Sequence, residues 1–162
     1  MLNPGLVLFE EDSRLIDKEL EKLNQLSRAK VSFLVDKDGQ LISSVGETGD
    51  IDTTSLASLT AGNIAATGGM AKLLGEKEFS ILFHEGERDN IHISLVGQRA
   101  ILVVVFDDRS SLGLIRLRVK RSVAALADVF EKMKEKMAKD RKDGVSSPLT
   151  EITEEDIENL FG

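Results

Sequence analysis

The stretch "FLVDKDGQLISSVGETGDIDTTSLASLTAGNIAATGGMAKLLGE", Phe33 to Glu76, changes its period halfway. Its first part lies within "KVSFLVDKDGQLISSVG", two apolar runs on either side of Asp38-Gly39. An Asp-Gly pair between such runs predicts a β-hairpin, because both residues tolerate the positive φ of a type I′ turn. The second part predicts a helix over about Asp52 to Leu74. Asp52, Thr53 or Thr54 can cap its start, and Gly75 stands where a left-handed C-terminal residue is expected.

Working outward, Ile16, Leu20 and Leu23 recur at three- and four-residue spacing between about Ser13 and Arg28, the pattern of an amphipathic helix. Downstream come three strand-like runs, "FSILFHE", "IHISLVG" and "AILVVVFD", separated by "GERDN" and "GQR". The third is almost continuously apolar, so it belongs at the centre of a sheet with both faces covered. The first alternates Phe79, Ile81 and Phe83 against Ser80, Leu82 and His84, as a half-exposed strand does. A long helix then starts near Ser110 or Ser111 and runs to about Lys139, with Ile115, Val119, Leu126, Phe130, Met133 and Met137 as its apolar stripe. The order helix, two strands, helix, three strands, helix needs one five-stranded sheet with helices on its faces. The expected class is α+β, in α/β/α layers.

Beyond that domain, residues 1–139, the periodicity stops. "DRKDGVSSPLT", residues 140–150, reads as a flexible linker. "EITEEDIENLFG", residues 151–162, places Ile157, Leu160 and Phe161 at helical spacing, with Ile152 earlier and acids around them. It reads as a short acidic amphipathic helix, too short to be stable alone in water. It is therefore expected to fold on a partner with an apolar groove rimmed by basic groups.

Composition narrows the function classes. The chain has 162 residues, 41% hydrophobic and 30% charged, with a formal net charge of -7. That balance argues against nucleic-acid binding, which draws most of its affinity from basic groups on phosphate. The basic run "RLRVKR", Arg116 to Arg121, is the exception to an otherwise mixed charge pattern. No apolar run reaches the roughly 20 residues of a membrane span, and the start lacks the features of a signal peptide, so a cytoplasmic protein without membrane insertion is expected. Cysteine is absent, which removes thiolate nucleophiles and thiolate metal sites. "TGGMAK" has the wrong spacing and place for a phosphate loop. His84 and His92 lie eight residues apart without a third ligand fixed by spacing, so no metal is expected. Asp107-Asp108 is read as capping the helix that follows. No catalytic constellation and no cofactor site emerge.

The adjacent glycines Gly68 and Gly69 need a reason, since each costs about 1 kcal/mol relative to alanine in a helix interior. On a helical wheel Leu56, Leu59, Ala66, Met70, Leu73 and Leu74 gather on one side, with Asn63 and Thr67 with or beside them, and this side is read as the core face. The other side holds Ala57, Ser58, Ala61, Ala65, Gly68 and Gly69, with Lys72 near its end. A water-facing surface is built more favourably from Glu, Lys and Gln. A face of small residues lets another chain, or a second layer of the same domain, approach closely; because the other two helices can cover the other side of the sheet, Ala57, Ala61, Ala65, Gly68, Gly69 and Lys72 are read as a partner surface.

The "DKDGQLI" hairpin, the "SLTAGN.AA" helix, the "FHEG" strand end and "FDDRSSLGLIRLR" together resemble the roadblock family over about residues 5 to 135. The resemblance implies a homodimer in which second helices and third strands meet across a twofold axis. Phe79, Ile81 and Phe83 then belong to the dimer interface. It also implies one small Ras-like GTPase per homodimer, bound in its GTP form on the paired helices, with Ala65 and Gly69 at the matching positions. In the tail, Ile152, Ile157, Leu160 and Phe161 are assigned to the same partner. The implied role is activation of GTP hydrolysis without an arginine finger, so Arg109, Arg116, Arg118 and Arg121 are not assigned to catalysis. The alternative is an adaptor dimer that leaves GTP turnover unchanged.

Overall fold

The computed structural model describes residues 10–142. They form α1 (Glu10–Ser27), β1 (Val31–Asp36), β2 (Leu41–Gly46), α2 (Thr53–Leu73), β3 (Ile81–Glu85), β4 (Asn90–Val96), β5 (Ala100–Phe106) and α3 (Leu112–Lys142). The chain divides into two compact units, residues 1–129 and 130–162. The first contains the sheet, and α3 runs from the first into the second. It continues through Lys142, so the first residues of the expected linker are helical. The C-terminal residues Ile152, Ile157, Leu160 and Phe161 lie outside the described residues.

All strand pairs are antiparallel, in the order β2-β1-β5-β4-β3. β5 takes the centre, and each of its residues is buried, as its unbroken apolar run requires. α1 acts through the face of the sheet that carries Ser32 and Ser43. Ser32 donates to Asn24 at 2.9 Å and Ser43 to Asp17. Ser122 of α3 donates to Glu19 of α1 at 3.0 Å, which ties α3 to the same layer. α2 covers the opposite face, over a core of Val31, Phe33, Val35, Ile93, Ile101, Val103 and Val105. The fold is the expected α+β sheet with helices on both faces.

The hairpin forms between the predicted runs, but its turn differs. Gly39 donates to the Asp36 carbonyl at 3.0 Å, and Asp36 and Gln40 close the loop at 2.9 Å. Gly39 alone in the loop has a positive φ, +92°. This is a type I turn followed by a left-handed glycine, not a type I′ turn. The Asp36 carboxylate accepts from the Asp38 N–H at 2.8 Å and the Gln40 N–H at 3.2 Å, which stabilises the longer loop. A Cβ on Gly39 would stand 3.2 Å from the Ser58 Cα. The glycine thus serves both the turn and the close approach of the turn to α2.

Two further expectations need correction. β3 begins at Ile81, so Phe79 precedes the strand instead of opening it. Asp107 does not cap α3: its carboxylate holds the Arg109 backbone and guanidinium. Ser111 caps the helix, accepting from the Leu114 N–H at 3.3 Å.

Candidate interaction surface

α2 starts where its sequence says it should. The Asp52 carboxylate accepts from the Ser55 N–H at 3.0 Å and from the Ser55 hydroxyl at 2.6 Å. Those bonds favour the charged form and hold the Asp52 pKa below its ordinary value. At the other end the Gly75 N–H donates to Lys72 and the Glu76 N–H to Ala71, with Gly75 at φ +75°. That is a Schellman closure, which needs a left-handed residue at this position.

Between these ends the helix is rotated from its expected orientation, so that each expected face is divided between core and solvent. Ala57, Thr60 and Ala71 are buried, and Ile64 packs against the core. The larger side chains point away: Leu59 is 71% exposed, Met70 59%, Leu73 89% and Leu74 70%. Of the expected core face, Leu56 packs against the core, whereas Leu59, Ala66, Met70, Leu73 and Leu74 lie outward. Ala57, assigned to the partner surface, is instead fully buried in the core and out of a partner's reach. Ala61 is half-buried, 3.5 Å from the place of a Cβ on Gly39. Ala57, Ala61 and Ala71 face inward, and at Ala61 the hairpin turn comes close to the helix. The threonines are tolerated there because Thr60 and Thr67 return their hydroxyls to the Leu56 and Asn63 carbonyls.

The outer face thus joins large apolar groups to small ones. Gly62, Ala65, Ala66 and Gly69 are exposed between Leu59, Met70 and Leu73. A Cβ placed on Gly62, Gly68 or Gly69 would meet nothing within 4 Å. No contact among the described residues explains these glycines. Lys72 is also exposed, at the end of this face.

β3 forms one edge of the sheet, hydrogen-bonded to β4 on one side. Ile81 is 55% exposed. Phe83 stacks on Phe106, ring centroids 6.1 Å apart, and is half-buried. Of the apolar residues expected at a dimer edge, Ile81 is the one inside the strand that presents itself to solvent. Leu82 turns to the other face and packs on the core beneath α2.

The arginines are placed elsewhere. Arg109 donates to Glu47 at 2.8 Å and to Asp107 at 2.9 Å. Its hydrogen bonds to Asp107, then Glu47, raise its pKa and lower both carboxylates. The pairs bridge the loop after β2 to the turn before α3. Arg116 acts electrostatically on His92, whose register with Val104 and Ser32 puts it on the sheet face opposite α2. His84 pairs with Ile91 and not with His92, so the two rings point to opposite faces. Among the described residues no group of three or more His, Asp or Glu side chains is placed to hold a metal ion. Among the same residues no helix is long and apolar enough to cross a membrane.

An antiparallel five-stranded sheet with one covering helix on one face and two on the other, ordered as here, is the roadblock arrangement, and residues 15–106 match the Roadblock/LC7 domain. The chain belongs to the Roadblock/LC7 family. Among solved structures it is similar to Myxococcus xanthus MglB, with 56% identity and a TM-score of 0.75 over 78% of this chain and 96% of that one. The gliding protein MglB of Thermus thermophilus is 34% identical, with a TM-score of 0.76 over 81% of this chain and 99% of that one. An uncharacterized protein of Methanocaldococcus jannaschii is 30% identical over 116 residues, covering 72% of this chain and all of that protein.

Proposed function

We propose that this chain works as MglB does, as the homodimeric activator of a small Ras-like GTPase of the MglA kind. The observation that carries the reading is the outer face of α2, apolar and glycine-rich, which nothing among the described residues covers. A monomeric protein seldom leaves such a surface bare. Ala65 and Gly69 lie on it, with Lys72 at its end. In this reading the GTPase docks there in its GTP form, one per homodimer, and the second chain pairs along the free edge of β3 at Ile81.

The activator supplies no catalytic group and no cofactor. Arg109, engaged by two carboxylates, is not a finger, and the chain acts by rearranging the GTPase's own residues. The same engagement of Arg109 favours a second reading, an adaptor dimer that leaves GTP turnover unchanged. The C-terminal residues Ile152, Ile157, Leu160 and Phe161 make a second contact with the GTPase, tested by deleting residues 148–162 and measuring affinity, exchange and hydrolysis. By likeness to MglB the complex serves cell polarity and gliding motility, in the cytoplasm and concentrated at a cell pole.

The experiment is sedimentation of the chain with a small Ras-like GTPase loaded with GTP analogue or GDP. A complex of two chains and one GTPase, formed with the GTP analogue alone, is expected. Equal binding of both nucleotide forms, or none, overturns the proposal.

A further inference from the structure

Two segments 21 residues apart in sequence meet through one pair of side chains. Asn63, midway along α2, places its Nδ2 atom 3.1 Å from the His84 Nε2 atom on β3. Asparagine is a poor choice for a helix interior, where it competes for backbone hydrogen bonds. The Thr67 hydroxyl donates to the Asn63 carbonyl at 2.8 Å, which leaves the Asn63 side-chain amide available to His84. Which of the two side chains donates follows the tautomer of His84.

We propose that Asn63 and His84 are positioning residues, a latch that holds α2 at a fixed place over β3 so that both parts of the partner surface act as one body. The proposal rests on the reading that the α2–β3 surface binds a GTPase. α2 lies against β1 and β2 and over the core they share with β4 and β5, a core on which Leu82 of β3 also packs. β3 is an edge strand paired with β4 alone. The second half of α2 carries Gly68 and Gly69, which have open space beside them, and the outward Met70, Leu73 and Leu74. A partner spanning the helix and the strand edge needs their spacing set before it arrives, since a loose surface loses affinity to ordering. The Asn63–His84 bond ties the outer half of α2 directly to the edge strand.

The test uses the full chain, as wild type, His84→Ala, Asn63→Ala, the double variant and His84→Gln, whose side-chain amide can replace the imidazole as donor or acceptor. One net hydrogen bond corresponds to about three- to tenfold in an opening equilibrium. Amide hydrogen exchange over residues 63–73 of the free chain is therefore expected to quicken about three- to tenfold in either alanine variant. It should quicken no further in the double variant and return to the wild-type rate in His84→Gln. Affinity for the GTP-loaded GTPase should fall by the same factor in the alanine variants and recover in His84→Gln. Unchanged exchange in both alanine variants overturns the latch. Faster exchange with unchanged affinity overturns its positioning role and leaves the α2 surface standing. A wild-type chain that binds no small GTPase overturns the functional reading, and the positioning role with it.

Discussion

Substituting Gly69 by alanine should push folding and partner binding in opposite directions. Gly69 lies in the interior of α2, exposed, and a Cβ there would meet no atom of the described residues within 4 Å. Alanine is favoured over glycine in a helix interior by about 1 kcal/mol, and no clash subtracts from it. The protomer should gain that amount, a rise in midpoint of about 3–5 °C for a domain of this size. Against a partner the same methyl group fills space left for close approach. Overpacking of a well-fitted contact costs about 1–3 kcal/mol, roughly five- to a hundredfold in affinity. Denaturant unfolding over a dilution series separates folding from self-association, and a titration with the GTP-loaded GTPase reads the binding. A destabilised protomer at the lowest concentration would refute the claim that the glycine has no internal role. Unchanged affinity would refute the claim that it faces the partner.

Gly39→Ala should act in the opposite sense on folding, because φ +92° and a 3.2 Å approach to Ser58 Cα both disfavour a Cβ; a loss of about 1–3 kcal/mol in denaturant unfolding is expected. Arg28 ends α1 at φ 56°, so Arg28→Gly should raise stability by up to about 1 kcal/mol in the same assay. His92 is buried, with no hydrogen-bond partner on Nε2 among the described residues. Burial, then the Arg116 charge, lowers its pKa. The unfolded chain therefore binds the proton more readily, and stability should be complete above about pH 6.5 and decline as pH falls below it. His92→Gln should flatten that slope between about pH 5 and 7.5, a window above the carboxylate range.

The element order was legible in the sequence because each element carried its own signal. The Asp-Gly hairpin, the Asp52 cap, the Gly75 closure and the unbroken apolar run of β5 are local features, and each appears where its residues place it. The orientation of α2 was not legible. A wheel divides a helix into two faces but does not say which one meets the sheet, and side-chain size alone assigns the larger groups to the core. In the fold Ala57 enters the sheet core and Ala61 lies beside the hairpin turn, while Leu56 and Ile64 pack against the same core. The outer face consequently holds both the glycines and the leucines, which no property of α2 alone distinguishes from a core stripe. The Asn63–His84 bond and the Glu47–Arg109–Asp107 bridge were equally hidden, since they depend on which elements become neighbours.

The most direct measurement of the central claim is phosphate release from a GTP-loaded small Ras-like GTPase with and without this chain. Ala65→Arg and Gly69→Arg, both on the outer face of α2, serve as controls. The account predicts faster release with the wild-type chain and the unstimulated rate with either arginine variant, each still a folded dimer. Release at the unstimulated rate with a wild-type chain that nonetheless binds would contradict an activator and leave the adaptor reading. Stimulation undiminished by both arginine variants would contradict the α2 surface itself.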